Sequence, residues 1–125
     1  MSTINNKLRR PSSIVSMYIK LLDKHMKDLE TGNVERTLDV NDFAKLLFIH
    51  PTHLSNTINQ VLKKSPCDIY EEKLLNLAKW MILSSDLPIA EIARRLTYDP
   101  SNFGKFFKRY AGITPIQFRQ ANKKI

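Results

Sequence analysis

Apolar residues return at intervals of three and four along most of the chain, the period of helices that bury one face. From Ser13 they fall at Ile14, Tyr18, Leu21, Leu22, His25, Met26 and Leu29, and Thr31-Gly32-Asn33 ends the run. This spacing predicts a core-packing helix that begins at Ser13. His25 lies on its apolar side with no metal-ligating neighbour and reads as a packed or half-exposed histidine. After a short polar segment from Glu35 to Asp39, Asp39 offers an N-cap and Asp42 a carboxylate at the third helical position. They open a helix with Val40, Phe43, Ala44 and Leu47 on one face. His50-Pro51 starts the next, with proline where the missing N–H has no partner to lose. There Leu54, Ile58, Val61 and Leu62 turn inward, and Thr52, His53, Ser55, Asn56 and Asn59 turn outward.

Ser65-Pro66-Cys67-Asp68 repeats the device of hydroxyl cap, proline and carboxylate. It opens a helix with Ile69, Leu74, Leu77, Ala78 and Met81 buried and Trp80, Ile82 and Leu83 adding contacts. Neither glycine nor proline interrupts it before Ser84-Ser85-Asp86, so one continuous rod of ~27 Å is expected. A gapless shift of 49 residues then lays Val40 on Ile89, Phe43 on Ile92, Ala44 on Ala93, Leu47 on Leu96, Pro51 on Pro100 and Leu54 on Phe103. The same shift matches Ile58 with Phe107, Ser65 with Thr114, Pro66 with Pro115 and Ile69 with Phe118. The pattern therefore predicts an all-α fold of about seven helices, two helix-turn-helix subdomains joined by a long linker helix. Its divisions are a flexible N-terminal arm (1–12), a first subdomain (13–65), the linker helix (66–85) and a second subdomain (86–125).

Composition narrows what this helical chain does. One cysteine among 125 residues excludes an internal disulfide framework, no apolar run approaches a membrane span, and the start carries no secretory signal pattern. The expected compartment is the cytoplasm, without membrane association. The net charge of +8 is concentrated at one end. From Arg94 onward, Arg94, Arg95, Lys105, Lys108, Arg109, Arg119, Lys123 and Lys124 face only Asp99. A focused patch on a compact segment favours a polyphosphate partner, because each neutralised phosphate releases condensed counterions. In the segment after Asp99-Pro100, with Phe103, Phe106, Phe107 and Tyr110 directed to the core, the outward residues are Ser101, Asn102, Lys105, Lys108 and Arg109. Short hydrogen-bonding groups lead and cations follow. A recognition helix needs that order, since its N-terminal residues reach base edges while flanking cations hold phosphates.

Three stretches carry a further resemblance: DLPIAEIA at Asp86 to Ala93, FGKFFKRYAGITPIQFR at Phe103 to Arg119 and LSNTINQVLKKSPCDIY at Leu54 to Tyr70. Over Ile14 to Gln120 the chain resembles the DNA-binding domain of the AraC/XylS family of bacterial transcription regulators. The resemblance implies a sequence-specific regulator of double-stranded DNA, an activator, with both recognition helices in successive major-groove segments of one duplex face. A ~27 Å linker is compatible with half-sites about one helical turn, ~34 Å, apart. Carried over by position, the DNA-binding residues are Thr52, His53, Ser55, Asn56 and Asn59 in the first unit, and Ser101, Asn102, Lys105 and Lys108, beside Arg109, in the second. RNA polymerase is the protein partner that the resemblance adds, and no cofactor or small-molecule ligand within this chain is implied. The chain departs from the family pattern in four places. Asn56 stands where many members have arginine, Thr97 replaces a turn glycine in a turn that reads one residue short, Lys63 replaces a second glycine, and Glu71-Glu72 opens the linker where basic residues are common.

Three sharper chemistries compete with this reading. His50-x-x-His53 has two possible metal ligands but no third, so cap and surface roles are expected instead. Cys67 near a helix start suggests an activated thiolate, a redox sensor or an alkyl acceptor for DNA repair, yet its repeat partner is Ile116, which points to a small semi-buried apolar position. Phe103, Phe106, Phe107 and Tyr110 resemble a single-strand stacking platform, but helical spacing makes them core. With no paired carboxylates in a defined motif, no nucleophile with base spacing and no phosphate-cradling glycine loop, the chain is not expected to be an enzyme. A protein-interaction module on the same fold, with weak DNA binding, is the alternative.

Overall fold

The computed structural model describes residues 10–34 and 36–123. Most of the N-terminal arm, Glu35 and the terminal Lys124 lie outside them. Seven helices and no strands occur among the described residues: α1 (Pro11–Thr31), α2 (Val40–Leu47), α3 (Pro51–Leu62), α4 (Pro66–Ser84), α5 (Ile89–Arg95), α6 (Pro100–Ala111) and α7 (Pro115–Ala121). The first begins two residues ahead of Ser13 because Pro11 fits an opening turn whose N–H groups have no helical acceptor. The helix from Pro66 is continuous for 19 residues, as its uninterrupted sequence requires.

Two compact units are present, one within Met1–His25 and Leu38–Glu71, the other within Met26–Thr37 and Glu72–Ile125. In the first, Tyr18 meets Phe43 edge-on at 5.3 Å, and Leu22, Ala44, Leu54 and Ile58 are fully enclosed. His25 is buried among these residues. Its Nε2 accepts from the Leu38 backbone N–H at 3.2 Å and lies 3.2 Å from the Tyr70 hydroxyl, so the ring fixes the entry to α2. In the second unit the interior is aromatic. Tyr98 stacks on Phe106 at 5.2 Å, Phe103 and Phe107 lie 6.0 Å apart, and Phe107 meets Phe118 edge-on at 5.4 Å.

The repeat extends to backbone torsions. Phe48 (φ 58°) and Thr97 (φ 65°), both left-handed, end α2 and α5; Lys63 (φ 59°) and Gly112 (φ 86°) end α3 and α6. Each pair is separated by the same 49 residues as the apolar pattern. The turns share their hydrogen bonds as well: Ile49 N donates to Ala44 O at 3.1 Å and Tyr98 N to Ala93 O at 2.8 Å. Residue for residue, then, the second turn has the same length as the first, although neither holds a glycine. Left-handed backbone disfavours any residue with a Cβ. Lys63→Gly, which copies Gly112, is therefore expected to stabilise the fold by ~0.5–1 kcal/mol, read as a higher urea midpoint at unchanged slope. An equal or lower midpoint would mean that Lys63 is not strained.

Several inward assignments are corrected. Val61 is 39% exposed and its repeat partner Tyr110 44%, with Leu62 exposed beside the former. Val61 and Tyr110 both lie in the last turn of a twelve-residue helix, beyond the stretch that carries the buried Leu54, Thr57 and Ile58 in α3 and Phe103, Phe106 and Phe107 in α6. Trp80 and Leu83 are also exposed, whereas Ile82 belongs to the core with Leu74, Ala78 and Met81. Trp80 sits two residues from both Ala78 and Ile82, about 200° around the helix and so on the opposite side. Cys67 is exposed rather than semi-buried, as is its partner Ile116.

Candidate nucleic-acid interface

The second unit prepares α6 in a way its sequence explains. The Asp99 carboxylate accepts from the N–H groups of Ser101 and Asn102 at 3.1 and 3.4 Å, satisfying two donors that the first turn leaves open. Pro100 fills the first position, and Gly112 closes the other end through its N–H to the Lys108 carbonyl. Phe103, Phe106 and Phe107 are buried, which leaves Ser101, Asn102, Lys105, Lys108 and Arg109 exposed on one continuous face. The Arg109 guanidinium lies 5.4 Å from the Tyr110 ring centre. With three of its four aromatic rings in the core, the run does not form a stacking platform.

In the first unit α3 is capped by His50, whose Nδ1 accepts from the Thr52 N–H at 3.1 Å. A cap therefore accounts for His50, and among the described residues no group of three metal-ligating side chains occurs. Thr52, His53, Asn56 and Asn59 are exposed. Ser55 is not: it is half-buried and lines a cavity on the inner side of α3. Its position one residue after the buried Leu54 turns it toward the interior margin. Of the ten residues expected to contact DNA, nine thus lie on the exposed faces of α3 and α6.

Electrostatics divide the basic residues further. Glu91 lies 3.6 Å from both Arg94 and Arg95, which lowers the net charge of that turn. Arg119 is turned away from the patch: Nε donates to the Ile82 carbonyl at 3.1 Å and Nη2 to the Ser85 carbonyl at 3.2 Å. It closes the C-terminus of α4, where the last carbonyls lack helical donors. The exposed cations of α6 are Lys105, Lys108 and Arg109, while α3 has no lysine or arginine. Nothing in the sequence pattern distinguished Arg119 from the other cations, because its two acceptors are backbone carbonyls more than thirty residues away.

Cys67 has the wrong surroundings for an activated thiolate. Partial burial, then the carboxylates of Glu71 and Asp68, push its thiol above the ordinary range. No helix among the described residues is long and apolar enough to cross a membrane.

Comparison with known proteins follows the same lines. A family model described as a helix-turn-helix domain matches residues 43–121. The arabinose operon regulatory protein of Salmonella typhimurium is 26% identical over 121 residues, covering 95% of this chain and 41% of that protein. The C-terminal domain of AraT, a response regulator from Geobacillus stearothermophilus, has a TM-score of 0.69 at 28% identity and covers 83% of this chain and 87% of that one. The DNA-binding domain of AdpA, a global transcriptional factor solved in complex with a target DNA, has a TM-score of 0.71 over 84% of this chain and 91% of that one. At 17% identity that likeness is one of fold. The chain spans between 12% and 41% of the length of the curated relatives that it matches.

Proposed function

The chain belongs to the AraC/XylS family of helix-turn-helix proteins, and from that premise we propose that it is the DNA-binding part of a transcription regulator, a sequence-specific binder of double-stranded DNA. What carries the reading is the exposed face of α6, where Ser101 and Asn102 lead and Lys105, Lys108 and Arg109 follow, on a helix whose opposite side is buried. Neutral hydrogen-bonding groups at the start of a helix suit base edges, and cations beyond them suit phosphates. The first unit adds Thr52, His53, Asn56 and Asn59. With no lysine or arginine on α3, it selects sequence more than it holds the duplex, and an Asn56 amide pairs better with adenine than with guanine. In this reading 13–65 and 86–125 each present one helix to successive major-groove segments, 66–85 links them, and the regulator activates transcription with RNA polymerase as its protein partner.

Titration of labelled duplex against competitor DNA at increasing salt tests it. Specific binding with a slope that reports several released counterions is expected, and no duplex binding even at low salt would sink the reading. Within that experiment, Asn102→Ala and Lys105→Ala are each expected to cost ~1–3 kcal/mol and relax preference at one base position. Lys108→Ala should weaken all sequences alike and lower the slope by about one. Identical behaviour of the three variants would contradict these assignments.

A second reading, a protein-interaction module with weak DNA contact, draws on the first unit. Phe48 is 94% exposed in the turn, Leu46 is exposed beside it, and α3 carries no lysine or arginine. The same titration separates the two, since an interaction module loses its duplex to competitor at all salt concentrations.

A further inference from the structure

Within the first unit, a cavity of about 370 Å³ opens between α1, α2, α3 and the start of α4. Its size falls within the range of small-molecule sites, ~300–1,000 Å³. Leu38, Val40, Ser55, Pro66 and the half-buried Tyr70 supply its accessible wall, with the rings of Tyr18 and Phe43 buried behind them. Four of the polar groups around it already have partners. Asp39 accepts from Asp42 N at 3.0 Å, the Ser65 hydroxyl accepts from Asp68 N at 3.0 Å, the Tyr70 hydroxyl lies 3.2 Å from His25, and the Tyr18 hydroxyl donates to the Pro66 carbonyl at 3.5 Å. Water in such a space finds few hydrogen-bonding sites, and an apolar guest gains by replacing it.

Charge selects among apolar guests. Asp39 places a carboxylate on the rim, and Glu71 and Asp68 act on Cys67, which also lines the cavity. No lysine or arginine lines it. The Tyr18 phenol, pushed up to about 12 by burial and then by Cys67, stays neutral at physiological pH, and so does the raised Cys67 thiol. The N-terminal ends of α2 and α4 also meet here, but the Asp39 carboxylate and the Ser65 hydroxyl already accept from their open N–H groups. An anionic guest, such as a fatty acid or a benzoate, therefore meets the rim carboxylate with no lysine or arginine to offset it, whereas a neutral ring packs against Tyr70 and the apolar Leu38, Val40 and Pro66.

We propose that this cavity is a binding site for a small neutral aromatic molecule, seated against both helices of the first helix-turn-helix. Val40 and Phe43 belong to α2 and Ser55 to the recognition helix α3, so the occupant touches the elements whose spacing sets how α3 meets a duplex. Resting on the DNA-binding reading, the consequence is regulation: ligand and duplex change one another's affinity by the same factor.

The test uses the full chain with 4-methylphenol as probe and benzoate as its anionic counterpart. In a nuclear magnetic resonance titration, 4-methylphenol should give saturable shifts centred on Leu38, Val40, Ser55 and Tyr70, while benzoate gives none. Alkylation of Cys67 by iodoacetamide should slow about tenfold when ~90% of sites are filled. Cys67→Trp, which fills the rim at an exposed position, should abolish the shifts while its circular dichroism stays that of the parent. If that variant fails to fold, protection of Cys67 in the parent chain decides alone. Absent or non-saturating shifts, shifts centred elsewhere, equal binding of benzoate, or unslowed alkylation would each overturn the site. A duplex titration with and without 4-methylphenol then addresses regulation. Unchanged duplex affinity at saturating ligand would reject regulation and leave the site, whereas failure to bind duplex under any condition would reject the DNA-binding reading while the shifts still judge the site.

Discussion

Phe107→Ala is expected to destabilise the protein by ~3–5 kcal/mol, the cost of emptying a fully buried aromatic position that cannot collapse around the void. Phe107 contacts Phe103 at a centroid distance of 6.0 Å and Phe118 at 5.4 Å, which couples α6 to α7 within the second unit. Domains of this kind have about 5–15 kcal/mol in total, so one truncation removes a large share of it. Urea unfolding followed by circular dichroism reads the loss, and duplex affinity should fall for every sequence alike as the folded population shrinks. Lys108, the next residue, provides the control. It is exposed, and Lys108→Ala should leave stability within ~0.5 kcal/mol while weakening the duplex. A cost below about 1 kcal/mol for Phe107→Ala would show that this position is not the interior of the unit.

Arg119→Ala should cost ~2–3 kcal/mol of stability without altering the salt slope of duplex binding. Two hydrogen bonds from a charged donor are lost together, each worth ~1.5–3 kcal/mol when measured singly, and water recovers part of the loss at a half-exposed site. Arg119→Lys is not a conservative repair, because an ammonium cannot span two carbonyls as the planar guanidinium does. It should recover less than half of the deficit. If stability were unchanged and the slope fell by about one, Arg119 would be a phosphate contact and its hydrogen bonds to α4 incidental.

These two residues also mark where the sequence was sufficient and where it was not. Phe107 was legible twice, by its spacing of four residues from Phe103 and three from Tyr110, and by the 49-residue match to Ile58. Arg119 was counted among the basic patch because charge is visible in a sequence and its direction is not. The caps at Asp39, Ser65, Asp99 and Thr114 were readable because the donor and acceptor lie within three residues of one another. The exposure of Val61, Tyr110 and Trp80 was not, since period alone shows which side of a helix is apolar but not how far a neighbouring helix extends along it. Ser55 belongs to the same class: a polar residue on a helix reads as outward until a cavity is found behind it.

By itself, then, the sequence determined the seven helices, their caps, the repeat and the outward order of groups on α6, all set by interactions that span a few residues or by a period that repeats locally. Only the tertiary structure decided which cations remain available to a polyanion, which apolar side chains lack cover and that an open cavity lies beside the recognition helix of the first unit. Those outcomes depend on the lengths and directions of elements distant in the chain, and no local spacing encodes them.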